Sequence, residues 1–196
     1  ENISAGYTES VKVLDNISFS VGEAKTVAVV GESGSGKTTV ARVITGLLPP
    51  SEGKILFNGK EMPPALKHRD RESLRRLQMI YQMPDVALNP RHKVRKILGR
   101  PLAFYFGTDA KAREKRILEL LDMIELGPKY IERYPSELSG GEKQRVCIAR
   151  ALAARPDVII CDEVTSALDQ LVAKGILELL RELQKELGVS YLFITH

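Results

Sequence analysis

No run in these 196 residues approaches the ~18 consecutive apolar residues of a membrane-spanning helix, so the sequence predicts no transmembrane segment. Cysteine is nearly absent. Cys147 and Cys161 are too few for a disulfide framework and lack metal-ligand spacing, which points to a reducing, cytosolic setting. The first residues, Glu1-Asn2-Ile3-Ser4, have neither a basic stretch nor an apolar one and are not expected to form a secretory signal. Internal repeats and low-complexity segments are missing as well. What is present is an ordinary globular composition, 43% hydrophobic, with length enough for one well-buried core or a core plus a small subdomain.

The net charge of +4 is modest, but the positive charge is clustered. Lys67, His68, Arg69, Arg71, Arg75 and Arg76 form one group, and Arg91, His92, Lys93, Arg95, Lys96 and Arg100 another. Two readings stand for them: contact with phosphate, in nucleic acid or anionic lipid headgroups, or solvated helix faces partly offset by Asp70 and Glu72.

Along the chain, 10–21 alternates apolar and polar residues and reads as antiparallel strand structure with Val11, Val13, Ile17 and Phe19 inward. Residues 26–30 read as a buried strand, 40–48 as a helix, and 54–59 as a short strand ended by an Asn-Gly turn. A basic helix over 71–77 precedes a strand over 78–81. From 84 to about 154 only helical signals appear. One helix, over 110–124, sets Ile117, Leu120, Leu121 and Ile124 on one stripe with Thr108 or Asp109 as its cap, and another starts at Ser139. Apolar strands return at 157–163, ending in two carboxylates, and at 191–195, separated by a helix with Leu171, Ile176, Leu179, Leu180 and Leu183 inward. The pattern predicts an α/β protein. Its core, residues 1–82 and 155–196, is a mainly parallel sheet covered on both faces with an N-terminal antiparallel part, and 83–154 is an inserted helical subdomain.

The segment Gly31-Glu32-Ser33-Gly34-Ser35-Gly36-Lys37-Thr38-Thr39 lies between that first apolar strand and a helix and fits G-x-x-x-x-G-K-[ST]. Its glycines let backbone N–H groups converge on phosphate oxygens, and the helix beginning at Lys37 adds its positive end. Lys37 is placed to neutralise β- and γ-phosphates, and Thr38 to offer its hydroxyl to Mg²⁺. Asp162 ends an apolar strand, where a nucleotide-bound Mg²⁺ needs a carboxylate, and Glu163 beside it is suited to polarise an attacking water. A second glycine-rich helix start, Leu138-Ser139-Gly140-Gly141-Glu142-Lys143-Gln144-Arg145, reads either as a capping box or as another phosphate cradle.

Taken in order, these motifs resemble the nucleotide-binding domain of ATP-binding cassette (ABC) proteins over essentially the whole chain. The resemblance implies a P-loop NTPase fold, a single cassette for residues 1–196 with its C-terminal part incomplete, and ATP with Mg²⁺ as cofactors. It makes Tyr7 the aromatic that stacks on adenine, and Gly31, Ser33, Gly34, Ser35, Gly36, Lys37, Thr38 and Thr39 the Walker A contacts. Gln82 becomes the Q-loop glutamine, near both metal and reaction; Ser139, Gly140 and Gly141 the signature; Asp162 the Walker B aspartate. Glu163 becomes the catalytic glutamate, Asp169 the D-loop residue and His196 the switch histidine, with Thr38, Gln82 and Asp162 as the metal side. Two departures stand out: Glu142 where the signature usually has glutamine, and Val164 where proline often follows the glutamate. Neither removes a phosphate contact, so activity is expected.

Residues 81–91 are similar to the Q-loop extension of bacterial dipeptide, oligopeptide and nickel importers. The implied function is ATP hydrolysis that powers import of peptides or similar small solutes at the cytoplasmic face of the bacterial inner membrane. The implied partners are a second cassette bound head to tail, transmembrane permease subunits and, indirectly, a solute-binding protein; no specific nucleic acid is expected. The alternative is a soluble ABC ATPase acting on nucleic acid or ribosomes, to which the basic clusters lend support.

Overall fold

The computed structural model describes residues 1–8 and 11–195. Four parallel strands form its centre: β3 (Thr26–Val30), β6 (Leu77–Ile80), β7 (Val158–Asp162) and β8 (Ser190–Thr195), side by side in the order β3-β8-β7-β6. Before and beside them lie two antiparallel pairs, β1 (Ile3–Ala5) with β2 (Leu14–Ile17), and β4 (Leu56–Phe57) with β5 (Lys60–Glu61). The turn between β4 and β5 is Asn58-Gly59, both at positive φ (49° and 73°), the backbone that a two-residue hairpin turn requires.

Helix α1 (Lys37–Thr45) covers one sheet face, where Ala41, Ile160, Leu192 and Ile194 are buried against Val27, Val29 and Met79. The other face carries the large core. Ile159, Cys161 and Tyr191 pack there with α6 (Gly140–Leu152) and α7 (Gln170–Leu187), and that core runs on without interruption into the helical segment. The segment holds α3 (Pro84–Ala87), α4 (Val94–Phe106) and α5 (Ala110–Met123), and no strand lies between β6 and β7 among the described residues. Asp109 caps α5 by accepting from the Ala112 N–H at 2.9 Å, and Ile117, Leu120, Leu121 and Ile124 are all buried. A short α2 (Arg71–Arg76), capped by Asp70, leads into β6.

Three expectations about facing and one about a strand boundary are corrected. β2 is only four residues long and buries Leu14, whereas Val11, Ile17 and Phe19 are exposed. Asn16 adopts positive φ (50°) and the pairing with β1 shifts register, so the alternation breaks. β3 is buried on one face only: it is the sheet edge, and Thr26, Ala28 and Val30 are exposed. Leu171 is 83% exposed, because it sits in the first turn of α7, off the stripe of Ile176, Leu179, Leu180 and Leu183. Finally, the strand expected from residue 10 onward begins at Leu14; Ser10 itself lies outside the described residues.

Both cysteines are free and buried. Burial pushes the Cys147 thiol up to about 11 and the Cys161 thiol higher still, so neither is a nucleophile at neutral pH.

Candidate nucleotide site

The loop after β3 is built around its own lysine. Gly34 and Gly36 adopt φ of +81° and +92°, conformations that L side chains rarely take, and these bends turn the chain into α1. Lys37 is buried, and its Nζ donates to the carbonyls of Gly31 and Glu32, each at 2.7 Å. Gly36 occupies the N-cap of α1 and offers no side-chain acceptor, so the first-turn amides of Lys37, Thr38 and Thr39 keep no intrahelical partner. A curled loop, free amides and an ammonium ion at the positive end of a nine-residue helix form an anion cradle.

Tyr7 stands at its rim, beyond the end of β1. Its hydroxyl lies 3.3 Å from Thr39 Oγ1 and accepts from Arg42 at 3.0 Å, while its ring stays 55% exposed, open to a planar partner. The sequence reading missed Arg42. The signal was there, since Thr38 and Arg42 are four apart on α1 and share a face.

Parallel pairing of β7 with β8, and β8 with β3, brings the strand end Asp162 back to the loop. Thr38 Oγ1 donates to Asp162 Oδ1 at 3.3 Å. A hydroxyl and a carboxylate at that spacing are oxygen ligands that would suit a Mg²⁺ shared with a bound phosphate. No cluster of three His, Cys, Asp or Glu side chains able to hold a metal alone exists among the described residues, and a phosphate-bound Mg²⁺ needs none. Burial holds the Asp162 carboxyl above the usual Asp range, reinforced by the charge of Glu163 and opposed by the Thr38 hydrogen bond, Arg42 and Lys37.

That shift has a sign. A carboxylate whose folded pKa is raised costs stability above that pKa, and the cost disappears as pH falls through it. Asp162→Asn is therefore expected to raise the melting temperature of the nucleotide-free chain at pH 8 by about 2–4 °C. The gain should shrink as pH falls toward the ordinary Asp range, and MgATP binding should weaken in the same variant. Thermal melts across pH with isothermal titration check both.

Glu163, one residue beyond the strand, has a backbone φ of +48°, a costly conformation for a side chain of its type. Its N–H donates to Ile194 O at 3.0 Å, and its carbonyl accepts from Ser166 N (3.1 Å) and Ser166 Oγ (3.0 Å). Gln82, two residues beyond β6, donates its Nε2 to Glu163 Oε2 at 2.6 Å and approaches Ser166 Oγ at 3.4 Å. Ser166 is the second residue the sequence reading passed over. The carboxylate of Glu163 and the amide of Gln82 thus form one unit at the ends of neighbouring strands.

The second helix start stands apart. Ser139 caps α6, accepting from Glu142 N at 3.3 Å, while Glu142 Oε2 accepts from Ser139 N at 2.7 Å. This is the reciprocal capping box. Asp169 caps α7 through the N–H groups of Leu171 (3.1 Å) and Val172 (3.0 Å). The two starts adjoin: a Cβ on Gly141 would come within 2.6 Å of Val172 Cγ1, and one on Gly140 within 3.6 Å of Leu168. Close helix packing therefore accounts for Gly141, whereas a Cβ on Gly140 would make only ordinary van der Waals contact. Among the described residues, no hydrogen bond joins Ser139, Gly140, Gly141 or Asp169 to the Gly31–Thr39 loop. His196 lies outside the described residues.

From Thr38, Gln82 and Asp162 a groove of about 860 Å³ runs between the sheet edge and the helical segment, past Met83 and Val86 to Arg100 and Phe104. Leu88 is 1% exposed and packs in the large core. The exposed apolar residues of this stretch are Tyr81, Met83 and Val86.

Much of the clustered positive charge is committed within the fold. Arg69 is buried and donates to Pro63 O and Ile44 O. Arg75 pairs with Glu72 and the carbonyls of Ala154 and Arg155, and Arg76 with Asp157. Lys93 and Arg95 bind Glu132, and Arg95 also binds Glu114. These residues tie helices together rather than wait for phosphate.

The profile of the ABC transporter family matches residues 14–166. A nickel import ATP-binding protein of Brucella suis biovar 1 is 44% identical over 94% of this chain and 69% of its own length. An oligopeptide transport ATP-binding protein of Bacillus subtilis is 41% identical over 95% of this chain, and a dipeptide transport ATP-binding protein of Haemophilus influenzae 40% over 96%. The chain spans only 57% and 58% of those two relatives. Among solved structures, the ATP-binding cassette MJ0796, a dimer in a post-hydrolysis state with ADP and Pi, superposes with a TM-score of 0.85. It is 32% identical, over 100% of this chain and 86% of that one. The cbiO1 subunit from Clostridium perfringens, part of an ABC transporter complex, gives 0.89 at 29% identity, over 100% of this chain and 76% of that one.

Proposed function

Because this chain belongs to the ABC transporter family, we propose that it is an ATP-hydrolysing cassette that powers import of peptides or similar small solutes across the bacterial inner membrane. The observation that carries the reading is the separation of two anion-accepting helix starts. One, at Lys37, has the carboxylates and glutamine of a reaction centre around it; the other, at Ser139, has none. Two copies placed head to tail supply each loop with the other copy's Ser139, Gly140 and Gly141, and Asp169 sits beside that contact.

In this reading Gly31, Ser33, Gly34, Ser35, Gly36, Lys37, Thr38 and Thr39 hold the phosphates, and Tyr7 receives the adenine. Thr38, Asp162 and the side-chain oxygen of Gln82 would hold Mg²⁺, which would neutralise charge on the β- and γ-phosphates. Lys37 exchanges its two loop carbonyls for phosphate oxygens. Glu163 takes a proton from water as the water oxygen bonds to the γ-phosphorus and the bond to the ADP oxygen breaks, and His196 is assigned the switch role that the resemblance implies. Gln82 links the centre to the groove, and the helical segment 83–154 carries the change onward.

No described helix is long and apolar enough to cross a membrane. We place the chain on the cytoplasmic face, with permease subunits seated in the groove and a solute-binding protein acting through them. Charge commitments within the fold disfavour nucleic acid as a partner. Val86, 81% exposed on α3, tests the docking surface where the buried Leu88 does not. Val86→Asp is expected to leave the melting temperature and MgATP affinity unchanged and to reduce co-purification with permease subunits by about tenfold or more, since a carboxylate desolvated at a contact is costly. Unchanged assembly refutes the docking role.

A further inference from the structure

Glu142 stands where the family's signature usually has glutamine, and its carboxylate is held by two donors. Ser139 N–H reaches Oε2 at 2.7 Å, and the Tyr130 hydroxyl donates to Oε1. Tyr130 lies on a short turn, Pro128–Tyr130, and carries two cations against its ring: Arg133 at 5.1 Å and Lys129 at 5.5 Å from the centroid. Cations on the ring make the hydroxyl a stronger donor. Both hydrogen bonds hold the Glu142 carboxyl below its ordinary value, so it is charged at neutral pH.

That charge sits in the first turn of α6. A carboxylate there favours the helix start but opposes a second anion at the same end. The donors left for that anion are the amides of Gly140 and Gly141 and the proton of Ser139 Oγ, whose acceptor role is already filled by Glu142 N. We infer that Glu142 sets a deliberately weak nucleotide-driven closure in this chain, and that Tyr130 is the positioning residue that limits the repulsion by drawing the carboxylate onto its own hydroxyl. This rests on the reading that the signature meets the partner copy's γ-phosphate. Glutamine at 142 keeps both contacts without the charge, since its oxygen accepts from Ser139 N and its amide donates to the Tyr130 hydroxyl.

The test uses the full chain with Glu163→Gln, in which dimers trapped by MgATP are counted by size-exclusion chromatography as nucleotide is titrated. Glu142→Gln is expected to lower the half-trapping concentration by about three- to tenfold, and the gain should fade as salt rises. Tyr130→Phe is expected to raise it about two- to fivefold, and to do nothing once Glu142→Gln is present, by double-mutant cycle. Equal trapping by Glu142→Gln and its parent, or an equal effect of Tyr130→Phe in both backgrounds, overturns the inference. Ser139→Arg separates the two levels: it should abolish trapping, and trapping that survives it overturns the dimer reading itself. Melting temperatures taken alongside exclude unfolding as the cause of any loss.

Discussion

Glu163→Gln should lower ATP turnover by about 10²–10⁴-fold, the range that removal of a positioned general base produces, while MgATP still binds. Glutamine keeps the size of the side chain and can still meet the Gln82 amide now 2.6 Å from Oε2, but it cannot take a proton from water. The positive φ of +48° at residue 163 is unchanged by the substitution, so the strand end and its bonds to Ile194 and Ser166 should persist. Steady-state hydrolysis and nucleotide titration on the same preparation give the result. Wild-type turnover in Glu163→Gln would falsify the assignment of the base.

Lys37→Ala should act one step earlier, on binding. The ammonium ion is buried within the loop and held by two carbonyls at 2.7 Å, a position from which it exchanges partners without moving far. Without it, the phosphates meet only amides and the helix end, and MgATP affinity should fall by about a hundredfold or more. Fluorescent-nucleotide titration measures this. Because Gly31 and Glu32 also lose a donor, the melting temperature belongs in the same experiment, and a folded variant with unchanged affinity contradicts the role given to Lys37.

The nucleotide loop was legible in the sequence because everything it needs is local. Glycines at fixed offsets, an apolar strand before and a helix after occupy 26–45 without reference to the rest of the chain. The sheet was legible in type, since β7 and β8 are short apolar runs that each follow a helix, but β3 was misread as buried on both faces because edge position is a property of strand order. Leu171 was misplaced for a related reason: it follows a cap, where the apolar stripe has not begun. β2 lost its phase at Asn16, whose left-handed backbone leaves no mark in an alternation count. Among site residues, Arg42 left a trace only in its spacing from Thr38, and Ser166 left none, because their contacts are with Tyr7 and Gln82, 35 and 84 residues away. The Tyr130–Glu142 pair was visible only as an unusual glutamate.

The central claim is that a complete site needs two copies of the chain, and a mixing experiment tests it most directly. Lys37→Ala damages the loop half and Ser139→Arg the signature half, so each variant alone should be inactive. In an equal mixture, random pairing makes about half of the dimers mixed, each with one intact composite site, so about a quarter of wild-type sites should return. Nucleotide trapping and hydrolysis in the mixture are therefore expected to rise toward that level. A mixture as inactive as its components, together with undiminished hydrolysis by a strictly monomeric wild-type chain, would contradict the account.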